Sequence, residues 1–343
     1  MSFNIQQTHE MKFNILLLIL FTVLFSCKNE SPISKYSSIQ GKTMGTTYHI
    51  TYKSNINIKN AIDSELVRIN NELSTYIPAS TISRFNQSDT GIAIIKGDLY
   101  LNILKAKQLV DISNGFYDPS VMPLVNYWGF GYKGHNKVSD IDSNKIQDIL
   151  KYIGFDKISL IDETKDSIFL KKSSKDIQLD LSSIAKGYGV DKIGEIIHKN
   201  GINDYLVEIG GEIYCSGLSP SGKKWVLGIN TPKENAPTSE LILKKSLSDK
   251  AMATSGNYRN FYDVNGYKYS HTINPKTGYS ERSNLLSVSI ITNDCMTADA
   301  MATACMVSGL EWSKKILGTI DSIEGILIYL DDNKEMKVWQ EGK

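Results

Sequence analysis

The sequence has almost no excess of charge of either sign, because 38 basic residues are matched by 37 acidic ones and the net charge is +1. Without a basic excess the chain has little means of neutralising a nucleic-acid backbone, so we expect no nucleic-acid partner. Cysteine is also scarce, with four residues and no C-x-x-C pair. Beyond the N-terminal region only Cys215, Cys295 and Cys305 remain. An odd number without metal-binding spacing argues against a disulfide framework and against zinc.

The sequence also lacks the context for a dinucleotide-binding fingerprint, although Gly129-Phe-Gly131-Tyr-Lys-Gly134 matches the pattern G-x-G-x-x-G. That fingerprint requires a buried strand before it and an apolar helix after it. Here the motif follows Trp128 and leads into His135-Asn-Lys137, so neither element is predicted. We therefore reject the match as a nucleotide site.

The apolar run at the N-terminus, Ile15–Phe25, covers 11 positions. That is too few to cross a bilayer, which needs about 20 apolar residues. The run follows the basic residue Lys12 and has the length of a signal-peptide h-region. It ends at Leu24-Phe25-Ser26-Cys27, which resembles the bacterial lipobox, where the chain is cleaved before a cysteine that is then acylated. The alternative is an ordinary secreted protein with an incidental cysteine.

These features predict a signal peptide over 1–26, with Met11 as an alternative start, and a lipid-modified Cys27. The polar segment 27–38 then serves as a tether, and 39–343 form the domain. Acyl chains attach a protein to a membrane through ~0.8 kcal/mol per buried CH₂. The expected location is the bacterial cell envelope, with the lipid anchor in the membrane and the protein facing the periplasm.

Hydrophobic patterning in the rest of the chain predicts helices and strands without regular alternation. Apolar residues recur at helical spacing from Ile58 to Leu73. Other helices are predicted over 98–114, capped by Asp98, from Asp142 to before Gly154, from 182 or 183 to 200, and near 294–308. Strands are predicted over 46–52, 158–161, 167–171, 177–180, 205–209, 225–229, 241–247, 267–272 and 285–291. This pattern indicates a single α+β domain with a largely antiparallel sheet and packed helices.

Asp299 and Thr303 lie four positions apart in a predicted helix, which places them on one face. A carboxylate and a hydroxyl so arranged can share a Mg²⁺ ion. The alternative is a capping or solvated polar pair, which is common on helices. The surrounding residues, Ala298 to Met306, are otherwise almost all apolar. A helix of that kind is buried, and a buried Asp needs a partner or a metal.

The segment Asp180-Leu-Ser-Ser-Ile-Ala-Lys186-Gly187 lies where a predicted strand leads into a helix. Backbone N–H groups at a helix start attract anions, and Lys186 adds a positive charge suited to a phosphate. The carbonyl or hydroxyl of Ser183 can complete the ligand set of a metal ion. A plain helix cap with a solvent-facing lysine is the alternative.

His271 follows a predicted strand and precedes the turn-rich sequence Asn274-Pro-Lys-Thr-Gly278. An imidazole beside a tight turn is well placed as a general base, and an unperturbed pKa of ~6.5 keeps most of it neutral at physiological pH. The alternative is a histidine hydrogen-bonded to a loop carbonyl, which is the commoner arrangement.

Taken in order, several segments resemble the ApbE family of flavin transferases, enzymes that move FMN from FAD onto a protein hydroxyl. They are Met44-Gly-Thr-Thr-Tyr48, Leu73-Ser-Thr-Tyr76, Gly115-Phe-Tyr-Asp-Pro119, Trp128-Gly-Phe-Gly131, 180–191, Gly210-Gly-Glu212, Ala253-Thr-Ser-Gly256, 271–278 and 298–309. The ordered set spans nearly all of the predicted domain. The resemblance implies a mixed fold related to the T-fold.

The resemblance also implies roles for particular residues. The expected contacts to FAD come from Met44, Tyr76, Phe116, Tyr117, Asp118, Asp180, Lys186 and Ile273. The expected Mg²⁺ ligands are Ser183, most simply through its carbonyl, Asp299 and Thr303. One departure is Asn274, where family members commonly carry Asp. Another is the Ser182-Ser183 pair, where many relatives have smaller residues.

The implied reaction is the Mg²⁺-dependent transfer of FMN from FAD to a Thr or Ser hydroxyl of an acceptor flavoprotein, a subunit of a respiratory or redox complex, with release of AMP. His271 would accept the proton of that hydroxyl. Two alternatives remain open. Water as the nucleophile would give an FAD pyrophosphatase that produces FMN and AMP. A lipid-anchored flavin-binding or carrier protein without catalysis would need no metal.

Overall fold

The structure, a computed structural model, describes residues 35–341 except 133–137, 139, 234–236, 238, 258–260, 265–266 and 281–282. The predicted signal peptide, Cys27 and most of the predicted tether lie outside the described residues. The first strand already begins at Tyr36, three residues before the predicted start of the domain. Tyr36–Lys343 forms one compact unit.

Strands and helices contribute about equally to the regular structure of the described residues. In chain order the strands are β1 (Tyr36–Thr43), β2 (Thr46–Lys53), β3 (Gly91–Ile95), β4 (Ile158–Ile161), β5 (Ser167–Lys172), β6 (Tyr205–Ile209), β7 (Glu212–Ser216), β8 (Trp225–Asn230), β9 (Leu241–Leu247), β10 (Lys250–Gly256), β11 (Phe261–Val264), β12 (Tyr267–Ser270), β13 (Leu285–Thr292), β14 (Glu324–Leu330) and β15 (Met336–Glu341). The helices are α1 (Lys59–Leu73), α2 (Thr81–Gln87), α3 (Asp98–Ile112), α4 (Met122–Tyr127), α5 (Ser143–Leu150), α6 (Ser182–Lys199), α7 (Cys295–Ser308) and α8 (Leu310–Leu317), with a 3₁₀ turn at Phe155–Lys157.

The central element is an eight-stranded sheet in the order β1-β2-β6-β7-β10-β13-β14-β15. Every ladder between these strands is antiparallel. Smaller sheets pair β3 with β5 and β4, β8 with β9, and β11 with β12. The prediction of an α+β fold with a largely antiparallel sheet is confirmed.

The central sheet separates two hydrophobic cores because successive side chains of a strand point to opposite faces. Along β10, Ala251 and Ala253 belong to the large core beneath the helices. Met252 belongs to the smaller core, which is covered by Trp225 and Leu227 of β8. One face of the sheet therefore carries the helices and the other carries the β8–β9 pair.

Helix α7 lies against the helix-side face of the sheet and is apolar on nearly every side, as the sequence predicts. Ala298, Ala300, Met301 and Ala302 are fully buried. The side chain of Asp294 caps its start by accepting a hydrogen bond from the N–H of Thr297 at 2.9 Å. Small side chains in α7 allow α6 to pack closely beside it.

Two local predictions are wrong. Asp98 does not cap α3; it is the first residue of that helix, and its carboxylate instead accepts a hydrogen bond from the hydroxyl of Tyr188 at 2.6 Å. The predicted strand 177–180 forms only an isolated bridge at Gln178. At Leu179 a side chain replaces a neighbouring strand: the amide of Asn86 donates to the carbonyl of Leu179 at 2.8 Å and accepts from its N–H at 2.7 Å.

The predicted helix limits elsewhere agree with the structure to within a few residues. The rejected G-x-G-x-x-G match follows helix α4 rather than a strand, as expected. Among the described residues, no helix has both the length and the apolar character that a membrane crossing requires.

Candidate active site

A cavity of about 900 Å³ opens between the N-terminus of α6, helix α7, the central sheet and several loops. This volume lies at the upper end of the range for small-molecule sites. Of the residues named from the sequence, the cavity is lined by Met44, Tyr76, Asp180, Ser183, Lys186, His271, Ile273, Asp299 and Thr303. Segments far apart in the chain are thus brought to one site.

Two parts of this lining differ in origin. We call Ser183, Lys186, Asp299 and Thr303 the helix wall, because they lie on α6 and α7. We call Tyr76, His271 and Ile273 the loop wall, because they lie outside the named helices and strands.

The helix wall begins at the N-terminus of α6. The carboxylate of Asp180 accepts a hydrogen bond from the N–H of Ser182 at 2.8 Å, which fixes the first turn. Burial raises the pKa of Asp180, and the hydrogen bonds from Ser182 and the charge of Lys186 oppose this effect. Ser182, Ser183 and Lys186 all face the cavity. The N–H groups of Ser182, Ile184 and Ala185 are already hydrogen-bonded within the protein, so what favours an anion here is the positive dipole end of α6.

Lys186 lies between two carboxylates. Its Nζ is 3.2 Å from Oε1 of Glu212 and 3.6 Å from Oδ1 of Asp299. Burial alone would lower the pKa of Lys186, but these two carboxylates outweigh burial and raise it. Lys186 therefore carries a positive charge on the cavity wall at physiological pH.

Asp299 connects α7 to α6. Its side chain is 4% exposed, and Oδ2 accepts a hydrogen bond from the backbone N–H of Gly187 at 3.1 Å. In a regular helix that N–H is directed at the Ser183 carbonyl. Sharing it with Asp299 leaves the carbonyl oxygen of Ser183 with capacity for a further partner.

The close approach of the two helices depends on Gly187. A Cβ atom at this position would lie 2.3 Å from the carbonyl oxygen of Cys295. From the neighbouring turn of α6, Asp191 accepts hydrogen bonds from the N–H groups of Cys295 and Met296 at 2.8 and 3.0 Å. Burial raises the pKa of Asp191 to about 7. These contacts hold Lys186 and Asp299 in a fixed relation.

The donor atoms of the helix wall suit Mg²⁺. Asp299 offers a carboxylate, Thr303 a hydroxyl that lies 3.3 Å from the hydroxyl of Ser255, and Ser183 a carbonyl. Oxygen donors of this kind are those that Mg²⁺ prefers, and it commonly completes its shell with water and substrate phosphates. Among the described residues there is no cluster of three or more His, Cys, Asp or Glu side chains that could hold a metal. A site with few protein carboxylates is consistent with that finding.

The loop wall is more open. His271 is exposed, and its ring lies 6.4 Å from that of Phe130, measured between centroids. Tyr76 is 65% exposed. Ile273 is buried and packs with Trp128 in a small hydrophobic cluster under the loops. An imidazole at this edge can reach a group that approaches from solvent.

Asn274 holds the turn that follows His271. Its side-chain oxygen accepts a hydrogen bond from the N–H of Lys276 at 2.9 Å, and its carbonyl accepts one from the N–H of Gly278 at 2.8 Å. The indole of Trp128 donates to the carbonyl of Gly278 at 2.8 Å. Asn274, where the resemblance leads us to expect Asp, thus contributes two hydrogen bonds to this turn.

Three residues that the resemblance assigns to FAD lie outside the cavity lining. The ring of Phe116 packs edge-on against Trp312, with centroids 5.0 Å apart. Tyr117 is buried, and burial raises the pKa of its hydroxyl well above the ordinary value. Asp118 accepts hydrogen bonds from the N–H groups of Ser120 and Phe155 at 2.8 and 3.1 Å, so its carboxylate fixes a loop. Contact of these residues with FAD stays a prediction.

Sequence reasoning did not single out Glu212 or Ser255, both of which face the cavity. Each lies in a segment that carries the resemblance, Gly210-Gly-Glu212 or Ala253-Thr-Ser-Gly256, but neither residue was assigned a role. Burial raises the pKa of Glu212 to about 8, while Lys186 opposes the shift. An acidic residue directly after the Gly210-Gly211 pair was the available signal for Glu212.

Comparisons with known proteins agree with this arrangement. The FAD:protein FMN transferase of Haemophilus influenzae is 35% identical over 297 residues, which are 83% of this chain and 84% of that protein. The FAD:protein FMN transferase of Vibrio cholerae serotype O1 is 35% identical over 302 residues, or 86% and 88%. The solved structure of the flavin transferase ApbE from Vibrio cholerae superposes with a TM-score of 0.79 at 33% identity, covering 90% of this chain and 97% of that chain.

The model of the ApbE family matches residues 44–327. This range contains every residue of the helix wall and of the loop wall. From the order of its motifs, its fold and these matches, the chain belongs to the ApbE family.

Proposed function

We propose that this protein is an FAD:protein FMN transferase that transfers FMN from FAD to a Thr or Ser hydroxyl of an acceptor flavoprotein and releases AMP. Family membership and the names of its relatives support an enzyme that transfers FMN from FAD to a protein. The observation that carries the finer proposal is the convergence of Lys186, Asp299, Thr303 and His271 on one cavity.

The reaction exchanges one phosphorus–oxygen bond for another. The acceptor oxygen forms a bond to the phosphorus of the FMN half of FAD, and the bond from that phosphorus to the bridging oxygen breaks. AMP leaves with the bridging oxygen, and the hydroxyl proton passes to His271. Phosphoryl transfer of this type is catalysed mainly by positioning and by stabilisation of charge.

The helix wall would receive the diphosphate. The start of α6 places the positive end of the helix dipole at the cavity, and Lys186 contributes a full positive charge beside it. Ser183, Asp299 and Thr303 would hold Mg²⁺. A bound Mg²⁺ would supply positive charge that stabilises a diphosphate.

The loop wall would receive the acceptor. An acceptor protein is a macromolecule, so its hydroxyl has to enter from the open side of the cavity. His271 is exposed on that side, at the end of the β11–β12 ribbon and before the fixed turn at Asn274. A base in this position meets the hydroxyl as it enters.

The test is a reconstitution with purified protein, FAD, MgCl₂ and a candidate acceptor domain that carries a Thr-containing target segment. We expect in-gel flavin fluorescence on the acceptor and one AMP released for each flavin attached. A parallel reaction without acceptor measures hydrolysis. AMP and FMN formed equally fast without acceptor would contradict the transferase assignment and favour a pyrophosphatase. FAD binding that is indifferent to chelator and yields no AMP would favour a carrier.

We also propose that the protein is a lipid-anchored lipoprotein of the cell envelope facing the periplasm. The support is the sequence around Cys27, which ends the apolar run Ile15–Phe25. Growth with a radiolabelled fatty acid should label the wild-type chain, whereas Cys27→Ser should abolish the label and release the protein from membranes. A labelled Cys27→Ser protein would contradict the anchor.

A further inference from the structure

Glu212 occupies an unusual position for a carboxylate. It begins β7 directly after the two-residue turn Gly210-Gly211 and pairs with Ile209 across the hairpin. Directly opposed residues in an antiparallel pair share a face of the sheet, and Ile209 belongs to the core beneath the helices. Glu212 is consequently only 4% exposed and projects to the helix side of the sheet.

The two carboxylate oxygens of Glu212 differ in their partners. Oε1 lies 3.2 Å from Nζ of Lys186. Oε2 is buried and has no hydrogen-bond partner among the residues that the structure describes. A buried carboxylate is costly, and such groups persist where a charge partner requires them. Here the described charge partner is Lys186.

Lys186 has a competing partner in Asp299, whose Oδ1 is 3.6 Å from the same Nζ. An ammonium group and a divalent cation compete for one carboxylate, because both are attracted to the same oxygen lone pairs. Removing the Glu212 charge would leave Asp299 as the carboxylate that Lys186 pairs with in this cluster. A tighter Lys186–Asp299 pair would then oppose metal binding.

We propose that Glu212 is a positioning residue for the metal site, which holds the Lys186 ammonium and so keeps Asp299 available to Mg²⁺. This inference rests on the proposed function, because it takes Asp299 as a Mg²⁺ ligand. When Glu212 is ionised, the cluster of one ammonium and two carboxylates is negative overall, which favours a cation.

Calorimetric titration of the full chain with Mg²⁺ alone, without FAD, tests this role apart from activity. The titration is done above pH 8, since burial raises the pKa of Glu212 to about 8 and the charged form has to dominate. We expect Glu212→Gln to bind Mg²⁺ at least about tenfold more weakly than wild type, a coupling of ordinary size for contacting charges. Unchanged affinity would overturn the proposal.

A second background separates positioning from simple loss of charge. In a Lys186→Met protein there is no ammonium to hold, so Glu212→Gln should weaken Mg²⁺ binding at least about fivefold less than it does with Lys186 present. An equal fold-loss in both backgrounds would overturn the proposal, because Glu212 would then act as an anion only.

The matched control is Glu208→Gln in the same hairpin. Glu208 pairs with His49 at 2.7 Å and accepts the N–H of Gly211, away from the helix wall. We expect unchanged Mg²⁺ affinity. Glu212→Asp serves as a second variant should Glu212→Gln fail to fold; it keeps the charge but shortens its reach, and we expect an intermediate loss. Wild-type affinity in Glu212→Asp together with a loss in Glu208→Gln would contradict the proposal.

Transfer assays add a second readout. The reduced rate of Glu212→Gln should recover to within about threefold of wild type at saturating Mg²⁺, because the defect lies in metal affinity. A defect that Mg²⁺ does not rescue would indicate a structural role and overturn the proposal. Wild-type protein that fails to bind Mg²⁺ would instead refute the metal site of the proposed function, so the two failures are distinguishable.

Discussion

The helix wall and the loop wall line one cavity but are built in opposite ways. In the helix wall, Asp299 is 4% exposed and Gly187 allows no side chain, because two helices meet there at close range. In the loop wall, Tyr76 is 65% exposed and His271 is exposed as well. The helix wall therefore carries the buried charges, and the loop wall carries the side chains that solvent reaches.

This difference matches the two substrates of the proposed reaction. A diphosphate and a metal ion need charges held in a low-dielectric setting, where electrostatic interactions are strong. An acceptor protein needs an opening through which its hydroxyl can enter the cavity, and a general base beside that opening. The helix wall should therefore respond to mutation through metal binding and stability, and the loop wall through turnover alone.

The largest expected effect comes from Asp299. Asp299→Ala and Asp299→Asn should both lower the rate of FMN transfer by at least about 100-fold, because each removes the carboxylate of the proposed metal site. Asp299→Asn keeps an acceptor for the N–H of Gly187, so it should retain more stability than Asp299→Ala. Transfer rates and thermal unfolding measure the two effects. A variant that flavinylates an acceptor at the wild-type rate would refute the metal assignment.

His271→Ala should lower turnover by about 10²-fold or more while leaving FAD affinity within about threefold, since general bases contribute on this scale. The free energy of unfolding should stay close to that of wild type, because the side chain of His271 is exposed. The matched control is His198→Ala, an exposed histidine near the end of α6, which should leave turnover unchanged. A wild-type rate in His271→Ala would remove the base from the loop wall.

Gly187→Ala tests whether the helix wall depends on close contact of α6 and α7. Its Cβ would lie 2.3 Å from the Cys295 carbonyl oxygen, so we expect a loss of about 1–3 kcal/mol in unfolding free energy. Gly189→Ala is the control: its Cβ would meet the flexible end of Met44 at 2.9 Å, and alanine favours the helix. Equal unfolding free energies of the two variants in chemical denaturation would contradict the dependence of the helix wall on close contact between α6 and α7.

The smallest effect concerns pH. Burial raises the pKa of Asp191 to about 7, above its ordinary value near 3.8. The folded state thus holds this proton more tightly, so the contribution of Asp191 to stability is full below about pH 4 and is lost as pH rises through 7. The Asn side chain of Asp191→Asn can still accept a hydrogen bond from the N–H groups of α7 but does not titrate. The unfolding free energy of this variant should therefore depend less on pH across this range. A pH profile parallel to that of wild type would contradict the shift.

Local signals in the sequence carried much of the fold. Helix α7 was predictable because Asp294 caps it, Gly309 ends it and its residues are apolar throughout. Helix α1 was predictable because Ile62, Leu66, Ile69 and Leu73 recur on one face and are all buried. In both cases the information lies within the segment itself.

Strands β7 and β10 were missed because their identity depends on their neighbours. β10 contains small residues, has no period-two alternation and becomes a strand through pairing with β7 and β13. Glu212 was overlooked with β7, and its pairing with Lys186 follows only once β7 lies beside α6. The predicted strand at 177–180 is wrong for the converse reason, because at Leu179 the side chain of Asn86 supplies the hydrogen bonds that a neighbouring strand would have made.

Two hairpin turns bring the sheet to the cavity, and each has only two residues between paired strands: Met44-Gly45 and Gly210-Gly211. All four residues have left-handed backbones, with φ of 49° and 73° in the first turn and 63° and 108° in the second. A single inserted residue would shift a strand by one position and turn its buried side chains outward. Long loops tolerate growth far better, at about 0.6 kcal/mol for each doubling in length. Relatives adapted to other acceptors should therefore differ in length along the rim near His271, while these two turns keep their size.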